Sequence, residues 1–246
     1  MHFFIISLLL QALLIVHVIK TGRNTIWIWV LALLSYAGVI AYVVAELLPD
    51  LMRSRATQRT VKGVKRALDP EGDLRRLAQT AEISGGVDAS QRHAEELIRL
   101  GRPAEAIPVY ERILRGLYAH DPNLMLGLAR AHFAAGNAAD TRATLDALMQ
   151  HNPDFRSADG HLLYARALEQ EGQPERALDE YKVLAGYYPG AEARVRYAQL
   201  LRAQSQPDLA KQQLRDLLNQ AAVAPPHYRR SQDDWLKQAE REIAAL

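Results

Sequence analysis

Residues 172–189 read GQPERALDEYKVLAGYYP, and their pattern decides the fold. Gly172 can turn the chain, and Pro174 fits the first turn of a helix, where its missing N–H leaves nothing unpaired. Ala177 and Tyr181 follow five and nine residues after the glycine, on one helical face. Pro189 comes at seventeen and ends the helix. The same register recurs three times. Turns open at Gly101 (GRPAEA), Gly136 (GNAADT), Gly172 and Ser205 (SQPDLA), with spacings of 35, 36 and 33 residues. Seven residues before each turn stands a small side chain: Ala94, Ala129, Ala165 and Ala198. Five residues after it come Ala106, Thr141, Ala177 and Ala210, and nine after it Tyr110, Leu145, Tyr181 and Leu214. Small residues let paired helices approach, and large ones fill the space between pairs. Pro153 takes the place of Pro189 in the second unit. The first unit departs, with Tyr118 there and Asp121-Pro122 slightly later. Unrelated amphipathic helices would share the helical period without this longer one.

The spacings bracket the 34-residue unit of tetratricopeptide repeats, which this segment resembles. The resemblance implies an all-α solenoid of stacked helix pairs, here four units over 87–220. Helices are expected at 88–99, 104–116, 123–134, 139–150, 159–170, 175–186, 191–203 and 207–219. One pair cannot bury both faces, so the array needs caps. Residues 70–86, with a helix at 71–83, supply the first. Residues 221–246 supply the second: a linker at 221–226, then a helix started by Ser231 that packs Trp235, Ala239 and Ile243 against the last repeat.

Outside the repeats the sequence changes character. Residues 3–19 and 24–45 contain no charged side chain. Phe3–Ile19 would span about 25 Å as a helix, and Ile26–Ala45 would cross a bilayer core of roughly 30 Å. Trp27 and Trp29 near the start of the second run and Tyr42 near its end suit the two interfaces. The expectation is a transmembrane helical hairpin over residues 1–48, turning at Gly22, with His17 at the interface and Gln11 bonding within the pair. Met1-His2 is no basic leader, which argues against a cleaved signal peptide. A basic juxtamembrane linker follows over 49–69. The chain's net charge of +2 conceals this division. Eight basic residues precede position 67 against only Glu46 and Asp50, whereas residues 70–246 are net acidic. Arg53, Arg55, Arg59, Lys62, Lys65 and Arg66 outnumber Lys20 and Arg23, which predicts a multi-pass plasma-membrane protein with cytoplasmic repeats. The same six groups are candidate contacts for anionic lipid headgroups. Nucleic-acid binding through this collar is disfavoured, because no aromatics interleave it.

Residues 14–55, with Trp27–Val44 reading WIWVLALLSYAGVIAYVV, resemble the two-helix segment ahead of the catalytic part in cardiolipin synthases of the phospholipase D superfamily. Trp27, Trp29, Gly38 and Tyr42 carry the likeness, while Ser35-Tyr36-Ala37 stands where that family has its proline. The resemblance implies an anchor associated with phospholipid metabolism. Its activity would require a histidine followed two residues later by lysine, and none of the eight histidines has one.

No converging acid, base or nucleophile is apparent, nor metal-ligand spacing or a glycine-rich phosphate loop. The absence of cysteine removes disulfides, thiolate metal sites and a cysteine nucleophile. The expectation is a non-enzymatic scaffold without catalytic, metal or cofactor residues. Its alternatives are an accessory subunit or enzyme of phospholipid metabolism and a membrane-tethered nucleic-acid binder. Inner-surface positions of the first helices are Arg92 and Arg99, with Gln91 and Glu95, then Asn123, Leu126 and Arg130. Leu162, Leu163 and Arg166 follow, then Val195 and Arg196. The candidate groove comprises Arg92, Arg99, Asn123, Arg130, Arg166 and Arg196, suited to an acidic protein or peptide segment because a guanidinium pairs bidentately with a carboxylate. The competing reading pairs these arginines with Asp88, Glu95, Asp159 and Glu192 as a solvated surface. Lysine is absent from the groove, so the carboxylate clamp of chaperone-binding repeats is not carried over.

Overall fold

The structure, a computed structural model, describes residues 2–21, 24, 26–33, 35–47, 69 and 71–246. The chain divides into two units, Met1–Gly72 and Asp73–Leu246.

In the first unit, α1 spans His2–Thr21, α2 Ile26–Leu33 and α3 Ser35–Tyr42, followed by a π-helical turn at Val43–Leu47. Asn24 starts α2, accepting from the Ile26 N–H through its side chain and from the Trp27 N–H through its carbonyl, both at 3.1 Å. Leu14, Val18, Leu31 and Tyr42 form a small buried cluster. His17 Nδ1 lies 3.0 Å from Tyr42 Oη, so His17 meets a partner inside the unit. The expected transmembrane hairpin is not found: among the described residues no helix is long and apolar enough to cross a membrane. The second run is not one straight helix. Fifteen residues of helix would separate Trp27 from Tyr42 by about 22 Å, yet their ring centroids lie 5.3 Å apart. The six basic groups of the collar, Arg53, Arg55, Arg59, Lys62, Lys65 and Arg66, lie outside the described residues.

The second unit is helical from end to end. A capping helix α4 (Gly72–Ser84) precedes four pairs: α5 (Val87–Arg99) with α6 (Pro103–Ile113), and α7 (Pro122–Ala134) with α8 (Ala138–His151). Then come α9 (Ala158–Gln170) with α10 (Pro174–Tyr187), and α11 (Glu192–Ala203) with α12 (Pro207–Val223). The sequence reading placed all eight within a few residues, for physical reasons. Pro103, Pro122, Pro174 and Pro207 occupy first-turn positions. The Asp121 carboxylate accepts from the N–H groups of Asn123 and Leu124 at 3.0 Å, and Ser157 Oγ accepts from Gly160 at 3.0 Å. Each such cap is worth about 1 kcal/mol.

The four turns share one geometry. Gly101, Gly136, Gly172 and Ser205 all take positive φ, at 75°, 83°, 71° and 59°. At each, the turn residue's N–H returns to the carbonyl three residues back and the next N–H to the carbonyl five residues before it, as in Gly136 to Phe133 and Asn137 to His132. All twelve register positions are buried, Ala94 through Leu214. Thr141 is the one polar member, and its hydroxyl donates to the Asn137 carbonyl at 2.8 Å. Each buried leucine or tyrosine contributes about 1.5–3 kcal/mol relative to exposure. The alanines leave no room for more, as Gly127 illustrates. A Cβ there would lie 2.5 Å from the Tyr110 ring.

Three boundaries differ from expectation. Helix α6 stops at Ile113 rather than residue 116. Pro108 inside it leaves one carbonyl without its helical donor, and Gly116 takes positive φ to open a 3₁₀ turn at Gly116–Tyr118. Helix α12 absorbs the expected linker as far as Val223, ending where Pro225-Pro226 disfavours helix. Pro226–Ser231 then forms a short helix α13, and α14 runs Asp233–Ala244. Ser231 does not cap α14; its hydroxyl donates to the Tyr228 carbonyl. Gln232 precedes α14 and uses its side-chain oxygen to accept from the Ala191 N–H at 2.9 Å, tying the cap to the last repeat. Ala239 is buried there, with Trp235 and Ile243 packed beside it.

Candidate functional site

The candidate arginines divide into three kinds. Arg92 is exposed, and Arg99 closes a bidentate pair with Glu96 one turn away on its own helix. Among the described residues, neither lines the two recesses below. Arg166 and Arg196 belong to the joints between repeats. The Arg166 guanidinium lies 4.6 Å from the Phe133 ring centroid and 3.5 Å from Glu192. Its Nε is buried with no hydrogen bond among the described residues. Arg196 donates to Glu192 at 2.8 Å and to Glu169 at 3.2 Å, and lies over Trp235 at 5.4 Å. Tyr181 donates to the same Glu169 at 2.8 Å. Burial and neighbouring Glu169 push the Tyr181 phenol upward, so it stays neutral and serves as a donor. Glu169, Glu192 and the two arginines thus bridge the third repeat, the fourth repeat and the cap. Leu162, Leu163 and Val195, expected to face inward, are buried in the packing.

Arg130 and Asn123 are the candidates that border a recess. A cavity of about 530 Å³ lies over α5 and α7, lined by Gln91, Glu95, Tyr110, Asn123, Arg130 and Arg156, among others. Arg130 reaches Asp159 at 3.8 Å, and both side chains are more than half exposed. Such a pair is worth at most about 1 kcal/mol, so Arg130 can change partner at little cost. Gln91 donates to Glu95 at 2.9 Å, which occupies that carboxylate. Burial, with a contribution from Glu95 and against Arg130, pushes the Tyr110 phenol up to about 12.

A second recess of about 400 Å³ was not foreseen. Leu126, Leu145, Leu148, Met149, Phe155 and Tyr164 make it apolar. The connection 152–157 between α8 and α9, six residues long where the equivalent 188–191 has four, gives Phe155, Arg156 and Ser157 to its wall. The 36-residue spacing from Gly136 to Gly172 was the signal in the sequence. His161 stands on its wall between Tyr187 Oη and Glu180 Oε2, at 2.6 Å from each. Among the described residues no cluster of three or more histidine or acidic side chains could hold a metal ion.

A model of the tetratricopeptide repeat family matches residues 97–167. No curated protein matches the chain. Among solved structures, TTC0263, a thermophilic TPR protein of Thermus thermophilus, superposes with a TM-score of 0.54 at 16% identity, over 76% of this chain and 96% of its own. MamA of Desulfovibrio magneticus RS-1, from residue 41 onward, gives 0.55 at 16% identity over 72% and 94%. YrrB, described as a TPR protein with an unusual peptide-binding site, gives 0.50 at 15% identity over 69% and 82%. At these identities the likeness establishes fold alone. The family match lies wholly outside residues 14–55, and the resemblance of that segment to cardiolipin synthase anchors gains no support. The paired helices from α5 to α12 form an all-α, tetratricopeptide-like solenoid, within which residues 97–167 match the family model.

Proposed function

We propose that the chain is a non-enzymatic docking scaffold that holds an acidic segment of a partner protein in the recess over α5 and α7. The observation that carries this reading is Arg130, a groove guanidinium that among the described residues is bound by one long, exposed ion pair beside a cavity of about 530 Å³. The test is Arg130→Glu in the full chain, with crosslinking in native membranes followed by mass spectrometry. Loss of specific crosslinked partners supports the reading. An unchanged set, with helical content intact, refutes it. Arg166 is unsuitable for this test, because its reversal would break the joint with Phe133 and Glu192.

We further propose that the first unit tethers the scaffold to the plasma membrane, with the repeats on the cytoplasmic side. Leu13, Val16, Ile19, Ile26 and Trp29 are exposed, and large apolar side chains turned outward on α1 and α2 suit a membrane contact. The basic residues at 53–66 suit anionic headgroups. Removal of residues 1–47 is expected to move the protein from the carbonate-washed membrane pellet to the supernatant. Persistence in the pellet would refute the tether. Nothing beyond the resemblance of residues 14–55 supports a phospholipid role.

A further inference from the structure

The two recesses adjoin. Leu126, Phe155, Arg156 and Ser157 line both, so one ligand can enter each at once. Their chemistry differs. In the smaller one the Tyr187–His161–Glu180 chain is closed upon itself. The Glu180 carboxylate accepts from Nε2, and Nδ1 lies against Tyr187 Oη. With both ring nitrogens engaged, that recess offers mainly apolar wall. At the junction, the Arg156 guanidinium donates to the backbone carbonyls of Pro153 and Phe155 and meets no carboxylate among the described residues. Ser157 Oγ accepts from Gly160 and keeps its own proton free to donate. Arg156 and Arg130 thus place two under-paired cations beside an apolar hole.

We infer that the recesses form one bipartite site for a protein segment with a large apolar side chain next to a carboxylate. The inference rests on the docking function proposed above and specifies its ligand. The apolar side chain fills the space between α8, α9 and the 152–157 connection, and the carboxylate meets Arg156 and Arg130. A peptide suits the site better than a fatty acid. The Asn123 carboxamide on the larger recess both donates and accepts, as a peptide group requires. At about 400 Å³ the apolar recess falls at the lower end of ligand-binding cavities.

The test is fluorescence anisotropy on the full chain carried in lipid nanodiscs. The probes are a short labelled peptide of Asp and Glu around a central Leu, the same peptide with Ala for Leu, and labelled dodecanoate. The leucine peptide is expected to bind at least about tenfold more tightly than its alanine counterpart, because burying leucine alone is worth that factor. Ala158→Leu fills the apolar recess from the first turn of α9 and should erase the difference without weakening the alanine peptide. Met149→Trp, at a half-exposed position on the other wall, repeats the test if the first variant is poorly folded. Arg156→Glu should weaken both peptides. Equal binding of the two peptides, still sensitive to Arg130→Glu, overturns the bipartite site while leaving the docking groove standing. Failure of both peptides to bind removes the groove as well. Binding of dodecanoate in their place overturns the inference in favour of a lipid ligand.

Discussion

Ser205 holds the fourth repeat in a backbone conformation that the other three assign to glycine. Its φ of 59° lies in the left-handed region, where a Cβ crowds the following carbonyl and costs a non-glycine residue about 1–2 kcal/mol. No hydroxyl bond offsets that cost, since the side chain is exposed and forms none among the described residues. Ser205→Gly removes the strain but gives the unfolded chain more freedom, worth about 0.5–1 kcal/mol in the opposite direction. The net expectation is a stabilisation of about 0.5–1 kcal/mol. Gly136→Ser is the reciprocal experiment. A Cβ at Gly136 would meet no neighbouring atom within 4 Å, so its cost is conformational and not steric. It should destabilise by about the same amount. Urea titration of the full chain, followed by helical circular dichroism, measures both. Hydrogen exchange localises the gain, because a repeat array opens in parts and Ser205 joins α11 to α12. Slower exchange there in Ser205→Gly is expected. A lowered or unchanged midpoint for Ser205→Gly, with Gly136→Ser costly as expected, would refute the strain argument.

Three other perturbations follow from the packing. Gly127→Ala would bring a Cβ to 2.5 Å from the buried Tyr110 ring and should cost about 1–3 kcal/mol, read as a lower urea midpoint. Tyr110 also predicts alkaline sensitivity. Its folded pKa of about 12 exceeds the unfolded value near 10, so the folded state keeps the proton longer and stability falls as pH rises from about 10 to 12. The loss is of order 2–3 kcal/mol, and Tyr110→Phe should flatten that part of the stability profile. Arg196→Ala removes the guanidinium that donates to Glu192 and Glu169, while Arg166 and Tyr181 stay beside them, and it removes the contact over Trp235. A cost of about 2–3 kcal/mol is expected, with faster hydrogen exchange in α14.

The repeats were legible because their register rests on local chemistry. A positive-φ turn selects glycine, a first helical turn tolerates proline, and a close helix pair needs alanine. Each requirement leaves its mark at a fixed distance from Gly101, Gly136 or Gly172. Boundaries failed where one residue overrode the pattern, as Gly116 did after α6 and the Pro225-Pro226 pair did after α12. The first unit misled for a different reason. An uncharged run specifies apolar surroundings but not one straight helix, and the contact of Trp27 with Tyr42 is a tertiary choice absent from composition. The apolar recess was hidden because the repeat register follows the helices and says little of the connection at 152–157. Its two extra residues were visible only as a repeat that ran long.

Arg130 and Arg166 occupy the same register in consecutive repeats, yet differ in what they can do. The residue on the neighbouring repeat decides the outcome. Beside Arg166 stand Phe133 and the largely buried Glu192, so its guanidinium stacks and pairs where solvent screens weakly. Arg130 has the exposed Asp159, at 3.8 Å, as its ion-pair partner among the described residues. Removing Arg166 would leave a shielded carboxylate with one fewer partner. Displacing Asp159 from Arg130 releases two solvated groups and costs little. Register therefore identifies which side chains face one surface, while burial of the counter-ion separates a joint from a docking point. By that criterion the docking reading proposed above rests on the exposed pair at Arg130, with Arg156 beside it on the connection 152–157, because such a pair exchanges its partners at little cost.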